Sequence, residues 1–524
     1  MAVDKKNIFA HLKSDFPAGL VVYLVALPLC LGVALASTGD PNRLFSGIIA
    51  GMVGGIVVGA LSGSALGVAG PAAGLVVIIL GALDTLGSFE ALLLAVVLCG
   101  IIQLIAGFLN AGIIGYYFPS SVIKGMLAAI GITLILKEIP HAFGYDKDFF
   151  GDESFTQPDG HNTFSELYYS VRYSSTGAII ISLISIAVLI LFERPFMKKI
   201  QLFRFLPGAL FVVILGTIIN MTFAAVKPEW AMAGDHLVKL PVANTAQEFI
   251  SFFSMPDFSM ISNPDIYTVA FTLAIVASLE TLLSVEATDK LDPYKRSTPT
   301  NRELKAQGVG NIVSGLIGGL PVTQVIIRSS ANIDSGGKTK MATIIHGTLL
   351  LVSAIFIPYF LNMIPLAALA AILLLVGYKL SKVSLYKKMY ELGWDQFIPF
   401  VVTIAAILVT DLLKGIAIGM VVAIYFILRK NYKHSYHYKK EEHKEGEVIT
   451  LQLSQEVTFL NKGSINHTLS MLPRDCTVII DGTKSLNIDY DVLEIIEDFK
   501  NHTAPTRNIT VKTVGIKGVS VMGH

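Results

Sequence analysis

Charge is what this sequence has least of. Asp, Glu, Lys and Arg make up 15% of its 524 residues, against 53% hydrophobic residues and a mean hydropathy of +0.63. That balance excludes a soluble globular domain of this size, which would carry about 25% charged residues. The formal net charge is +1, so the balance does not point to nucleic acid. Cysteine is nearly absent. Three residues, Cys30, Cys99 and Cys476, give neither a disulfide framework nor a metal-ligand spacing. There is no Walker loop, so no ATP drive is expected, and no Ser/His/Asp or zinc-type pattern, so the chain is not read as an enzyme. The first six residues carry charge without a cleavable signal pattern, and the first apolar run is read as the first span.

What the chain has instead is apolar sequence in membrane-length runs. Fourteen segments are expected, at 19–36, 44–62, 68–82, 91–110, 119–137, 175–193, 206–225, 267–288, 304–319, 323–332, 341–362, 364–379, 396–410 and 412–429. Segments 68–82 and 323–332 are too short to cross a hydrocarbon core of about 30 Å as full helices. Each follows a Gly/Pro cluster, Gly67-Val68-Ala69-Gly70-Pro71 and Gly318-Gly319-Leu320-Pro321. Basic residues (Lys5, Lys6 and Lys13 among them) precede span 1. They also follow span 6 (Arg194, Lys198, Lys199, Arg204), span 8 (Lys290, Lys295, Arg296), span 10 (Lys338, Lys340), span 12 (Lys379, Lys382) and span 14 (Arg429, Lys430). Fourteen crossings put all of these on one side, the cytoplasm by the positive-inside rule, and leave the loop with Asp146, Asp148, Asp152 and Glu153 outside. The expectation is a multi-pass protein of the cell (inner) membrane with both termini cytoplasmic. Its parts are an N-terminus 1–18, a transporter domain 19–430, a linker 431–446 and a small domain 447–524.

The two halves repeat. Residues 54–63 (GGIVVGALSG) read against 310–319 (GNIVSGLIGG) at an offset of 256, and Asp40-Pro41 against Asp292-Pro293 at 252. This sets Pro28 opposite Glu280, and the break at Gly70, Pro71, Ala72 and Ala73 opposite residues 326–329. Seven spans separate the copies, and an odd number inverts the second, giving a 7+7 inverted repeat of about 19–225 and 267–430. Inverted repeats with interrupted helices at matching positions are the pattern of a secondary transporter with its site at the midplane.

Two ionisable residues stand in apolar surroundings, where they cost about 2.5–3.5 kcal/mol each and usually face a pathway or each other. Glu280 shares a helix face with Ser284. It can take a proton or, with Ser284, help to hold Na⁺. Arg328 follows the second break. A half-helix starting there aims unpaired N–H groups at the midplane, and the guanidinium adds a planar donor fork suited to oxyanions. Thr323, Gln324 and Ser329 could add neutral donors, or Arg328 could simply pair with Glu280. At the first break Gly70, Ala72 and Ala73 offer only backbone N–H groups. Two other readings fit parts of the pattern: a nucleobase permease of similar architecture, against which Arg328 argues, and a membrane-anchored sensor or scaffold.

Past Lys440 strands alternate with a helix (448–453, 478–481, 491–500, 508–514), as in a small α/β domain. The loop Asp481-Gly482-Thr483-Lys484-Ser485 is either a phosphorylatable loop or an ordinary turn. His434, His437 and His443 are read as solvated.

Ser278-Leu-Glu280-Thr-Leu-Leu-Ser284, the run 301–311 (NRELKAQGVGN), Gly318-Gly319-Leu320-Pro321 and Arg328-Ser-Ser-Ala-Asn332 closely resemble the SulP (sulfate permease) family of inorganic anion transporters, and the tail resembles its cytoplasmic STAS domain. The resemblance implies a polytopic α-helical membrane protein of fourteen segments in core and gate domains, a homodimer, and elevator-like carriage of bicarbonate or sulfate between the starts of helices 3 and 10. It also implies that Gln324, Val325 and Ile326 offer backbone to the anion beside Arg328. Glu280 and Ser284 would serve the coupling ion, Na⁺ or H⁺, with no further cofactor. The family often has Gly-Pro-Thr at helix 3; Ala72 here lacks that hydroxyl. The tail looks most like the bicarbonate-type bacterial members, and a cytoplasmic partner for it is possible.

Overall fold

The computed structural model describes residues 11–148, 150, 155, 162–194, 207–243, 245–433, 436–443 and 446–516, with backbone alone for Tyr116 and for the described residues between 430 and 447. They fall into two compact units, residues 1–420 and 421–524. Asp152, Glu153, Lys198, Lys199, Arg204 and His434 lie outside the described residues.

Each expected span of the first unit folds as a helix or as a strand running into one. The first repeat contains α1 (Leu12–Thr38) and α2 (Leu44–Val53), the latter continuing through a π-helical turn (Gly54–Val58) to Leu61. Strand β1 (Ala69–Pro71) leads through a 3₁₀ turn (Ala73–Leu75) into α3 (Val76–Leu86). Then come α4 (Phe89–Phe108), α5 (Ser120–Phe143), a short α6 (Thr163–Arg172), α7 (Thr176–Glu193) and α8 (Gly208–Val226). The second repeat contains α9 (Pro264–Leu291), α10 (Thr300–Leu316), β2 (Val322–Gln324) leading to α11 (Ile326–Asp334), α12 (Met341–Phe356), α13 (Leu366–Leu380), α14 (Trp394–Val409) and α15 (Leu412–Lys433). Local signals set the ends. Asn263 caps α9 with Pro264 at its first position, and Ser88 caps α4 by accepting from Ala91 N–H. Among the described residues, eight helices are long and apolar enough to cross a membrane by themselves. The remaining spans are shorter or carry charge, as α5 does with Lys124, Lys137 and Glu138.

The helices sort by packing into two sets. In one, α4 lies along α10 and α9, and α1 along α12 and α2; in the other, α5 lies along α13 and α14, and α7 along α8 and α13. Small residues permit the closest crossings. A Cβ at Gly100 of α4 would come 2.5 Å from the Gly308 carbonyl, and one at Gly131 of α5 would come 2.6 Å from that of Gly377. These sets are the core and the gate.

The repeat registers differently from the sequence alignment. β1 and β2 pair antiparallel with Gly70 opposite Thr323. The central pair and the two helix starts share one offset (323 − 70 = 253; 326 − 73 = 253). Gly70 therefore corresponds to Thr323, not to residue 326. The 256 offset is right for the starts of α2 and α10 (300 − 44 = 256), but the connections 62–68 and 317–321 differ in length, which similarity in small apolar residues could not reveal.

In the second unit a four-stranded sheet runs β3 (Tyr436–His443), β4 (Gly446–Leu453), β6 (Thr477–Asp481), β8 (Thr510–Val514), with β3 antiparallel and the rest parallel. A short pair, β5 (Glu456–Val457) and β7 (Asn487–Ile488), lies apart. Helices α16 (Lys462–Ser470) and α17 (Tyr490–Asp498) join Ile449, Leu451, Val478, Ile480, Val492 and Ile496 in one core. The expected linker 431–446 thus contains β3. Its sequence, Tyr-His-Tyr-Lys-Lys-Glu-Glu-His, has no apolar alternation, because an edge strand can be charged where a central one cannot. Among the described residues no cluster could hold a metal.

Candidate functional site

The site begins with two backbone breaks. Three-residue strands β1 and β2 cross and pair where a helix has been interrupted, and buried side chains satisfy backbone groups the pair leaves over, the condition for irregular backbone at membrane depth. Both half-helices then start without a side-chain cap. Their first N–H groups, at Ala73 and Gly74 on one side and at Ile326 and Ile327 on the other, precede the first intrahelical bonds.

The second repeat supplies what holds this crossing. Asn311 Oδ1 accepts from Val322 N–H at 2.6 Å, while its Nδ2 donates to the Val322 carbonyl at 3.1 Å and to Gln103 Oε1 at 2.7 Å. Glu303, fully buried, receives Gln324 Nε2 at 2.8 Å and Gln307 Nε2 at 3.2 Å on Oε1, and Ser62 Oγ at 2.5 Å on Oε2. Ser329 Oγ accepts from Val68 N–H at 3.0 Å, and Val325 N–H donates to the Val68 carbonyl at 2.9 Å. Glu303, Gln307 and Asn311 recur every four residues, so one face of α10 carries the network. That spacing was visible in the run 301–311, which the sequence reading used only as a family signature.

Both charged residues approach the first break from the second repeat. Arg328 is 1% exposed. Its Nη2 donates to the Pro71 carbonyl at 3.4 Å, and a Cβ on Gly70 would collide with its Nη1. Among the described residues, Nε and Nη1 have no hydrogen-bond partner. Its guanidinium thus packs against the strand at the first break. Glu280, also buried, lies on α9 with Oε1 3.0 Å from where a Gly74 Cβ would be. Buried Ser284 follows one turn on, and Thr281 Oγ1 accepts from Gln324 N–H at 3.3 Å. Gly70 and Gly74 thus leave room for a cation and a carboxylate on one short segment. Of the expected anion contacts, the structure ties the N–H groups of Gln324 and Val325 and the side chains of Gln324 and Ser329 into the scaffold. Ile326, Ala72, Ala73 and Arg328 remain at the break. Towards the end of α9, Asp289 accepts from Thr298 N–H and Oγ1 at 2.6 and 2.7 Å.

Paired inverted half-helices crossing through short strands, with two buried charged residues gathered at the first break, define an inverted-repeat membrane transporter. The chain belongs to the Sulfate permease family, whose profile matches residues 12–406. It is 27% identical over 434 residues to the putative sulfate transporter YvdB of Bacillus subtilis, covering 82% of this chain and 76% of that one. It is 26% identical over 434 residues to the bicarbonate transporter BicA of Picosynechococcus, covering 81% and 71%. Its fold is similar to murine Slc26a9 (TM-score 0.67, 15% identity, 98% of this chain and 87% of that one) and to the transmembrane domain of a cyanobacterial BicA (TM-score 0.52, 21%, 79% and 98%). Membership sets the chain among inorganic-anion transporters rather than nucleobase permeases or enzymes.

Proposed function

We propose that this protein is a secondary active transporter of bicarbonate or sulfate, coupled to Na⁺ or H⁺ through Glu280, in which the core moves past the gate like an elevator. The observation that carries this reading is the convergence of two uncapped half-helix starts, Arg328 and Glu280 on residues 70–74. Two helix dipoles, four terminal N–H groups and the Nε and Nη1 donors of Arg328 suit a small oxyanion. Backbone donors dominate because Ala72 brings no hydroxyl.

An ionised Glu280 would oppose that anion. Unit charges about 4 Å apart interact by about 4 kcal/mol at an effective dielectric of 20. A Na⁺ held by Glu280 and Ser284, or a proton on Glu280, removes the repulsion. Cation and anion binding are then linked by one coupling free energy. The basic loops orient both termini and the STAS-like tail to the cytoplasm in the cell membrane. By the family resemblance the protein works as a homodimer, and the tail is open to a cytoplasmic partner.

The test is uptake of ¹⁴C-bicarbonate and ³⁵S-sulfate into proteoliposomes with and without a Na⁺ gradient. Glu280→Gln is expected to abolish the cation dependence of uptake. Unchanged Na⁺ and pH dependence in that variant rejects the coupling role, and absence of both fluxes in the wild type rejects the substrate class.

A further inference from the structure

A second collection of buried ionisable groups lies away from the breaks, at the C-terminal end of α5. Lys137, Glu138 and His141 on α5 and Glu166 on α6 are each 6% exposed or less. In the loop that follows, Asp146 is held between two histidines. Oδ1 is 2.5 Å from His141 Nδ1, and Oδ2 is 2.6 Å from His236 Nδ1. His236 ends the turn Gly234–His236 after α8. Just beyond it the chain is tied to the segment entering α13. Val238 N–H donates to the Ile364 carbonyl at 3.0 Å, and Asn362 bonds Leu240 N–H and carbonyl at 2.6 and 2.9 Å. In the other direction the Asp146 loop reaches Phe150. The Phe150 ring lies 5.0 Å from the His141 ring, and its carbonyl occupies the place a Cβ on Gly32 of α1 would take. Helices α5, α8 and α13 belong to the gate and α1 to the core, so this loop bridges the two.

We propose that His141, Asp146 and His236 form a proton-operated latch on the outer face. It fastens the gate's outer loops and holds Phe150 against Gly32 of the core, so that its protonation state sets how readily the core moves. The latch rests on the topology and elevator motion argued above.

Glu138 lies within electrostatic reach of His141, Asp146, Glu166 and Lys137, and among the described residues its Oε2 has no hydrogen-bond partner. Asp148 follows on the same loop, 8% exposed. With both histidines protonated, Lys137, His141 and His236 face Glu138, Asp146, Asp148 and Glu166, three positive groups against four acids. Asp235, beside His236, is exposed and neutralised by Lys239. Burial pushes the Asp146 carboxyl up, but the bonds and charges of the two histidines outweigh it and hold it below its ordinary value. The bond to Asp146 raises His236 above its ordinary value of 6.5, against partial burial.

The His236 contribution is complete below pH 6.5 and is lost as pH rises through the raised value. The Asp146 contribution is present above the ordinary carboxylate value and is lost as pH falls through the lowered one. The latch is closed in mildly acidic solution and released by alkali.

The experiment measures uptake into proteoliposomes with inner pH clamped and outer pH stepped from acid to alkaline. Wild type is expected to speed up as outer pH rises past the His236 titration, in maximal rate rather than KM. His236→Gln is expected to run about three- to tenfold faster at mildly acidic outer pH and to lose the alkaline rise, the loss of one charged hydrogen bond at a half-exposed site. Asp146→Asn is expected to do the same. If it fails to fold, His236→Gln, whose ring is 38% exposed, still decides. A His236→Gln profile identical to wild type overturns the latch. A second readout does not need flux: amide protection across 144–148 is expected to fall on His236→Gln, and unchanged protection also overturns the proposal. Wild type without flux would instead defeat the transport reading and leave protection to decide the latch.

Discussion

Arg328 and Glu280 were legible because charge in an apolar run is conspicuous; the glycines that receive them were legible only as a break. Their different clearances make a sharp comparison. At Gly70 an added Cβ would overlap Nη1 of a side chain that is 1% exposed, with no room to withdraw. Gly70→Ala should lower uptake about 10- to 100-fold, corresponding to an overpacking strain of about 1–3 kcal/mol. At Gly74 the added Cβ would sit 3.0 Å from Glu280 Oε1 and 3.2 Å from its Cδ, a tightness that a small displacement of the carboxylate relieves. Gly74→Ala should cost less than about threefold in maximal uptake, acting mainly on cation dependence. Initial-rate uptake of both variants checks the order. A Gly74→Ala defect as large as that of Gly70→Ala would mean that Arg328 placement is not the sensitive quantity.

At the scale of elements, the crossing of β1 and β2 depends on α10. Asn311 satisfies both backbone groups of Val322, so Asn311→Ala leaves a buried N–H and a buried carbonyl short of partners. At about 1–3 kcal/mol each, the loss should be visible as a clear drop in the thermal unfolding temperature in detergent. Asn311→Asp, which keeps an acceptor for Val322 N–H but not the donors, should fall between wild type and alanine. An unshifted unfolding temperature for Asn311→Ala would remove the network from its supporting role. Sequence periodicity found every spanning segment, but the repeat alignment set the first break three residues too far along the second. Half-helix starts are fixed by strand pairing across the repeats, which no local pattern encodes.

At the scale of the whole molecule, the chain divides into units with separate cores. The α/β unit packs Ile449, Val478, Ile480, Val492 and Ile496 around a mostly parallel sheet. A fragment from residue 436 onward should therefore be soluble and unfold cooperatively by circular dichroism. Ile480→Ala, at 1% exposure, should cost it about 2–4 kcal/mol in denaturant titration. A fragment lacking a cooperative transition would show that the unit borrows stability from the membrane part. The strand Tyr436–His443 lies inside what composition marked as a linker. Charge density gave no sign of that regularity, since an edge strand draws its order from one neighbour's hydrogen bonds.

The sequence by itself determined the environment, the number of segments, the two-fold repetition and the residues whose charge is out of place. Each follows from hydropathy and spacing, which act locally along the chain. Only the tertiary structure decided that Arg328 lies on Gly70 and Glu280 on Gly74, that the Gln324 and Val325 amides belong to the scaffold, and that His236 closes on Asp146. Those contacts join residues 43 to 258 positions apart. Close packing and the need to satisfy every buried polar group select them, and neither condition can be evaluated until the halves are brought together.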